Sequence, residues 1–314
     1  MIRAGIIGSG SIASGYDDKN SDRLLTHGHM YYSLDEFELI GFYDVNRNRS
    51  IEASEKWGGD SFDSIESLLD SKLQVISICV PDEYHYDVFN KVVRDENIKV
   101  IIMEKPVCKT LDEIRDIEEK IEKYGKKMFV NYSRSYVPDF KNLVTDYKFG
   151  KYGEFIYGTG YYGKGFVHNG SHMIDFLLQM FSKIDGFEIS KSYKDIYDDD
   201  LNYDISLNIR NGVFNMVSID SRNYSIFEME FLFEKCRIKV LNSGFDIVIE
   251  FVGDSSVFKG YKNLNKVKNI DTDLGRHMMY LGKEVIDYFG EKDNNDSFKR
   301  SKLQMNLITE VLRS

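Results

Sequence analysis

The apolar positions of this chain change texture near residue 131. Before it, short apolar runs rich in β-branched and aromatic residues recur at 2–7, 37–43, 75–80, 100–103 and 127–130. That is the pattern of strands buried on both faces of a parallel sheet. Polar stretches with apolar residues at helical spacing lie between them, 111–124 being the clearest. Strand and helix in alternation predict a doubly wound α/β sheet. Beyond residue 131 the segments 155–162, 203–209, 213–220, 227–233 and 247–251 alternate aromatic or β-branched residues with polar ones. This predicts an α+β part built on a large, open, mostly antiparallel sheet. Helical periodicity returns at 168–181, 274–288 and 298–312. The expected division is an α/β domain over 1–130 and an α+β domain over 131–314, with the last helix packing back on the first domain.

Composition narrows the function. A chain of 314 residues that is 42% hydrophobic has material for two cores. Its 41 Lys plus Arg against 51 Asp plus Glu give a net charge of −10, without the basic footprint of nucleic-acid binding, so a small-molecule partner is expected. Cys79, Cys108 and Cys236 are scattered and odd in number, which suits neither a disulfide framework nor a zinc cluster and points to a reducing compartment. The first residues lack the features of a secretion signal, and no apolar run nears the about 20 residues that span a bilayer. A cytoplasmic protein with no membrane partner is expected. The acidic stretch 193–200 reads as a loop or an exposed strand end.

The segment Gly8-Ser9-Gly10-Ser11-Ile12-Ala13 follows the first apolar run directly. It matches the G-x-G-x-x-G/A turn that lets a backbone approach a pyrophosphate at the N-terminus of the next helix, the Rossmann arrangement. Glycine-rich turns are common, and it is the preceding strand that gives this one meaning. Asp44 ends the second run and suits the ribose hydroxyls of NAD while repelling a 2′-phosphate. It equally suits the opening of the turn Asp44-Val45-Asn46-Arg47, and Arg47 suits a 2′-phosphate, so NADP stays open beside NAD. Asp44 also lies well beyond the about 20 residues usual after the glycines, an excess that makes polar residues 15–26 an inserted loop.

Val80-Pro81-Asp82-Glu83-Tyr84-His85, Glu104-Lys105-Pro106 and His168-Asn169-Gly170-Ser171-His172 are together similar to motifs of the Gfo/Idh/MocA family of sugar and cyclitol dehydrogenases, a resemblance that makes 1–130 the dinucleotide-binding domain and 131–314 the substrate-binding and oligomerisation domain. Val80-Pro81-Asp82-Glu83-Tyr84-His85 resembles the family's proline and histidine at the nicotinamide-side loop. Glu104-Lys105-Pro106 resembles its E-K-P signature. His168-Asn169-Gly170-Ser171-His172 is similar to its D-x-G-x-H motif, with His168 in place of the aspartate. The resemblance implies that Gly8, Gly10, Ser11, Ile12, Asp44, Arg47, Pro81, His85, Glu104 and Lys105 hold the cofactor. It makes Lys105 and His172 the catalytic pair, an ammonium stabilising the developing alkoxide and an imidazole relaying the proton. Asn131, Arg134, Tyr136, His168 and Asn169 then line the substrate pocket with them. Arg134 can grip a phosphate or carboxylate, or pair with a local carboxylate. His168 and His172 also have the four-residue spacing of a two-histidine metal site, but no H-E-x-x-H pattern is present and no metal is expected.

The resemblance implies an NAD(P)-dependent oxidoreductase that transfers hydride between NAD(H) and a carbinol or carbonyl carbon of a sugar, nucleotide sugar or cyclitol. Redox-neutral elimination or epimerisation and a non-enzymatic nicotinamide sensor are the alternatives. The resemblance also implies that the sheet of the second domain packs face to face with that of another subunit, and an aromatic open face needs such cover, so a homodimer or homotetramer is expected.

Overall fold

The structure, a computed structural model, describes residues 1–293 and 295–314. Its N-terminal part runs β1 (Ile2–Ile7), α1 (His27–Ser33), β2 (Phe37–Tyr43), α2 (Arg47–Trp57), β3 (Asp60–Phe62), α3 (Ile65–Leu69), β4 (Val75–Ile78), α4 (His85–Val92), β5 (Val100–Met103), α5 (Leu111–Tyr124), β6 (Lys127–Val130) and the single turn α6 (Ser133–Tyr136). The six strands are parallel in the order β3-β2-β1-β4-β5-β6. This doubly wound order opens a crevice at the carboxyl ends of β1 and β4, where the order reverses. β4 and β5 are buried at every position, so their sequences are apolar throughout except for Ser77. Local sequence fixes α5: Thr110 and Glu113 form a capping box, Ile114 and Ile117 bury one face, and Gly125 ends the helix at φ 60°.

The glycine turn does not run into an α-helix as predicted. Ser11–Gly15 makes one π-helical turn, and α1 begins only at His27. The intervening residues are anchored rather than loose, because Asp17 is a buried hub. Its carboxylate accepts from Leu25 N at 2.6 Å, Thr26 Oγ1 at 2.6 Å and His29 Nδ1 at 2.9 Å. Thr26 in turn caps α1 by accepting from His29 N. The His29 ring stacks on Trp57 of α2 with centroids 4.9 Å apart, and Trp57 Nε1 donates to Ser14 O.

The second part begins with α7 (Pro138–Lys148) and continues through β7 (Phe155–Tyr162), α8 (Ser171–Phe181), β8 (Gly186–Tyr193), β9 (Asn202–Ile209), β10 (Gly212–Ser218), β11 (Glu228–Phe233), β12 (Cys236–Leu241), β13 (Asp246–Asp254) and β14 (Lys262–Asp271). They form one eight-stranded sheet in the order β14-β13-β12-β11-β7-β10-β9-β8. Only the β7–β10 pair is parallel. Its core is aromatic, with Phe176 and Phe181 of α8 against Phe231, and Phe155 between Phe181 and Phe233. Gly160 of β7 permits this packing, since a Cβ there would lie 2.2 Å from Met173 Sδ.

Four strands escaped the hydrophobic pattern. β3 has three partly exposed residues, and β12 has six in strict alternation, short enough to be missed. β8 and β14 are the two edges of the large sheet, where one flank is unpaired and little is buried. β14 is exposed almost throughout and carries Lys262, Lys266 and Lys268, charges that discourage further strand pairing.

Two helices end the chain, α9 (His277–Phe289) and α10 (Ser297–Arg313). The structure resolves into two compact units, Met1–Tyr136 with Gly275–Glu310, and Val137–Leu274 with Val311–Ser314. Sequence order and spatial grouping therefore differ over Gly275–Glu310. Met278, Leu281 and Val285 share an apolar cluster with Ile6, Phe42 and Phe129, and Ser297 Oγ accepts from Val130 N at 3.0 Å. Among the described residues no helix is long and apolar enough to cross a membrane.

Replacing the Asp17 hub by alanine strands three donors at once, Thr26 Oγ1 and His29 Nδ1 buried and Leu25 N partly so. Asp17→Ala is expected to cost about 3 kcal/mol of stability, read as a lowered urea midpoint. An unchanged midpoint would show that residues 16–26 contribute nothing to the fold of the first unit.

Candidate active site

In the first unit the candidate residues gather at the carboxyl edge of the parallel sheet. Gly8 follows β1, Asp44 follows β2, Pro81 lies beyond β4, Glu104 and Lys105 follow β5, and Asn131 follows β6. Gly8 has φ +90°, and a Cβ on it would stand 2.6 Å from Cys79 O, so glycine is required there. Gly10 has nothing within 4 Å of the corresponding point, which leaves its backbone open to a ligand. Between them, Ser9 Oγ is buried and finds no hydrogen-bond partner among the described residues. A strained cradle, an open backbone and an orphaned hydroxyl fit the phosphates of a dinucleotide.

Asp44 ties the second strand to this turn. One oxygen accepts from Ser9 N at 2.7 Å and the other from Asn46 N at 2.8 Å, so it both opens the turn into α2 and fixes the glycine loop. Arg47 pairs with Asp63. Ser11 is exposed and Ile12 is partly buried against the apolar core.

Around the loop after β5 the contacts are denser. Exposed Pro81 opens a 3₁₀ turn, Asp82–Tyr84, that leads to His85. The His85 ring is buried, with Nδ1 2.6 Å from Pro106 O and Nε2 2.9 Å from Val80 O, and it joins the two loops. Burial lowers its pKa from 6.5 despite the two carbonyl oxygens that favour the imidazolium. Glu104 Oε1 accepts from His27 Nε2 at 2.8 Å and from Asn131 Nδ2 at 2.7 Å. Burial alone would push the Glu104 carboxyl up, but the donors His27 and Asn131 and the Lys105 ammonium outweigh it and hold the group below the usual carboxylate range. Lys105 is half-buried beside it. Asn131 Oδ1, also buried, has no partner among the described residues.

Arg134 is half-buried in α6, and loss of water pulls its guanidinium down to about 9, still cationic at neutral pH. Tyr136 is a core residue, 1% exposed, whose hydroxyl donates to Val130 O at 2.6 Å. Its side chain packs in the apolar cluster with Met278.

In the second unit the predicted helix over 168–181 is a π-helical turn, Phe166–Gly170, followed by α8. His168 lies in that turn, where Asp200 accepts from Val167 N at 3.0 Å, His168 N at 2.8 Å and His168 Nδ1 at 2.7 Å. The His168 ring stacks on Tyr197, centroids 4.7 Å apart. Asn169 Nδ2 donates to Gly163 O. His172 is half-buried in the first turn of α8, edge-on to Phe227 at 6.5 Å. Among the described residues no group of three or more His, Cys, Asp or Glu side chains is placed to hold a metal ion.

Asp200 and His27 are the residues hydrogen-bonded to these candidates that sequence reasoning missed. Asp200 belongs to the acidic stretch 193–200, to which no role had been given; it supplies a carboxylate to the motif in which His168 replaces aspartate. His27 sits just past the inserted loop, and its partners are distant in sequence, so only its proximity to that departure marked it.

Sheet order and glycine turn define a dinucleotide-binding domain of the Rossmann class. Residues 2–132 match the model of the oxidoreductase family with an NAD-binding Rossmann fold. Over that stretch the chain is similar to the Gfo/Idh/MocA oxidoreductases. D-glucoside 3-dehydrogenase of Escherichia coli (strain K12) is 28% identical over 160 residues, 50% of this chain and 42% of that protein. The scyllo-inositol 2-dehydrogenase (NAD(+)) of Bacillus subtilis (strain 168) is 29% identical over 166 residues, 51% of this chain and 44% of that protein. The matches thus span less than half the length of either relative. A solved dehydrogenase (MviM) from Clostridium difficile shares the fold with a TM-score of 0.78 at 16% identity, covering 99% of both chains.

The lowered pKa of His85 makes stability depend on pH with a definite sign. The unfolded chain takes up a proton near 6.5 that the folded chain refuses until lower pH, so this contribution is complete above 6.5 and is lost as pH falls toward the folded value. His85→Asn is therefore expected to flatten the urea midpoint against pH below about 6.5. A curve parallel to wild type across that range would contradict a neutral buried His85.

Proposed function

We propose that the chain is a dehydrogenase that moves hydride between NAD(H) and a carbinol or carbonyl carbon of a sugar, nucleotide sugar or cyclitol. The observation that carries this reading is Lys105, a half-buried cation at the carboxyl edge of a dinucleotide-binding sheet, set beside a buried carboxylate. The nicotinamide, when bound, supplies or accepts the hydride. Lys105 polarises the reacting oxygen and favours the alkoxide-like charge on it. His172 relays the oxygen's proton, the role an imidazole performs near neutral pH. Asn131, Arg134, His168 and Asn169 orient the substrate, and Asp200 holds the ring of His168 through its Nδ1. Tyr136 supports this segment from within the core, its ring in the apolar cluster and its hydroxyl donating to Val130 O.

Gly8, Gly10, Ser11 and Ile12 form the phosphate turn, and Pro81, His85 and Glu104 shape the nicotinamide side. Asp44, anchored by two backbone N–H groups, keeps lone pairs for ribose hydroxyls, and Arg47 is engaged with Asp63. Both favour NAD over NADP. The names of the two curated relatives support a polyhydroxylated ring as substrate. The buried free thiols Cys79, Cys108 and Cys236 support a cytoplasmic location.

The deciding measurement is the absorbance of reduced nicotinamide while protein and NAD meet a panel of sugars, cyclitols and nucleotide sugars. Lys105→Met is expected to lower turnover by roughly a thousandfold with cofactor affinity near wild type. Retained turnover in that variant would sink the assignment of Lys105, and reaction without net redox change would favour an internally recycled cofactor.

The same reading includes a homodimer or homotetramer. The central strand β7 presents Ile156, Tyr157 and Tyr161 at 53%, 40% and 40% exposure, a patch that association would cover. Light scattering at micromolar concentration is expected to give at least twice the 36.5 kDa chain mass; a monodisperse monomer would contradict it.

A further inference from the structure

One buried polar cluster lies outside the roles assigned so far. His27 is completely buried, with Nδ1 3.0 Å from Ser77 Oγ and Nε2 2.8 Å from Glu104 Oε1. Ser77 Oγ is 2.7 Å from Tyr31 OH. The proton inventory has a consistent direction in the neutral ring: Tyr31 donates to Ser77, Ser77 donates to Nδ1, and Nε2 donates to Glu104. In either charge state of the ring, Nε2 carries the proton that Glu104 accepts. The membership of Ser77, His27 and Glu104 is that of a nucleophilic triad, but Ser77 and His27 are wholly buried and Tyr31 occupies the serine oxygen. Attack on a substrate is thereby excluded.

What the cluster does follows from where it ends. Glu104 adjoins Lys105, and its carboxylate would be costly to bury without donors. Two donors meet one oxygen, Asn131 Nδ2 from beyond β6 and His27 Nε2 from α1. α1 arrives there because the Asp17 hub fixes Thr26, its capping residue, one position before His27. We propose that His27 is a positioning residue for Lys105, delivered by the segment that interrupts the glycine turn, and that it holds the Glu104 carboxylate as the fixed counter-charge of the Lys105 ammonium. This rests on the reading of Lys105 as the polarising group.

The charged and titratable groups that act on Glu104 are His27, Lys105 in the same loop, Cys79 beyond β4 and His85 of α4. Without the His27 donor, burial drives Glu104 toward its neutral acid, and Lys105 loses an anion that favours its charged form.

The test is the titration of Lys105 in the free protein, followed by ¹³C NMR after reductive methylation, with its resonance assigned by loss in Lys105→Arg. In His27→Leu the Lys105 midpoint is expected to fall by about one pH unit. His27→Gln, whose amide can donate from near the Nε2 position, is expected to restore most of the shift. Glu104→Gln removes the counter-charge while sparing α1 and is expected to lower the midpoint as well, which keeps the test open should His27→Leu fail to fold. A Lys105 midpoint that stays at the wild-type value in folded His27→Leu, or in Glu104→Gln, would overturn the proposal. With a turned-over sugar in hand, His27→Leu is expected to lower kcat about tenfold while KM for NAD stays within about twofold. The NMR result needs no substrate, so failure of the dehydrogenase reading and failure of this one are distinguishable.

Discussion

A carboxylate buried at the end of a parallel strand is the constraint around which the first unit is arranged. Glu104 has lost its water, and an unpaired charge in such a place costs several kcal/mol. Its donors come from two directions, the chain beyond β6 through Asn131 and the start of α1 through His27. The inserted residues 15–26, which read as an unexplained addition to the glycine turn, acquire a physical reason. They stop the helix after one π turn and let α1 restart where a histidine meets β4 and β5. The buried hub Asp17, the cap Thr26 and the stack of His29 on Trp57 hold that restart in place.

The other departure, His168 for aspartate, has a parallel solution in the second unit. There the carboxylate is supplied by Asp200, 32 residues further along the chain. It accepts from two backbone N–H groups and from the His168 ring, so it shapes the loop and fixes the imidazole together. A ring whose Nδ1 faces a carboxylate leaves its basic lone pair on Nε2 when neutral. In both units a histidine absent from the ordinary pattern is held by an acid remote in sequence.

The legibility of the fold followed burial. Strands enclosed on both faces, β4 and β5, could be read as apolar runs, and half-buried strands such as β7 and β10 could be read by alternation. Edge strands could not, because β8 and β14 face water along much of their length and obey no apolar period. The helices α9 and α10 were legible as helices, while their grouping with the N-terminal unit depended on which apolar cluster Met278 and Met305 enter.

By itself the sequence determined the class of each sheet, the glycine turn with Asp44, and the motif around Lys105, because these are local patterns: a period, a φ that only glycine tolerates, a short contiguous signature. Tertiary structure alone decided what surrounds them. That Gly8 abuts Cys79 O, that His27 and Asn131 converge on Glu104, and that Asp200 takes hold of His168 are facts about residues 27 to 77 positions apart. No periodicity records such a meeting, since a polar side chain destined for a buried partner looks the same in sequence as one destined for water.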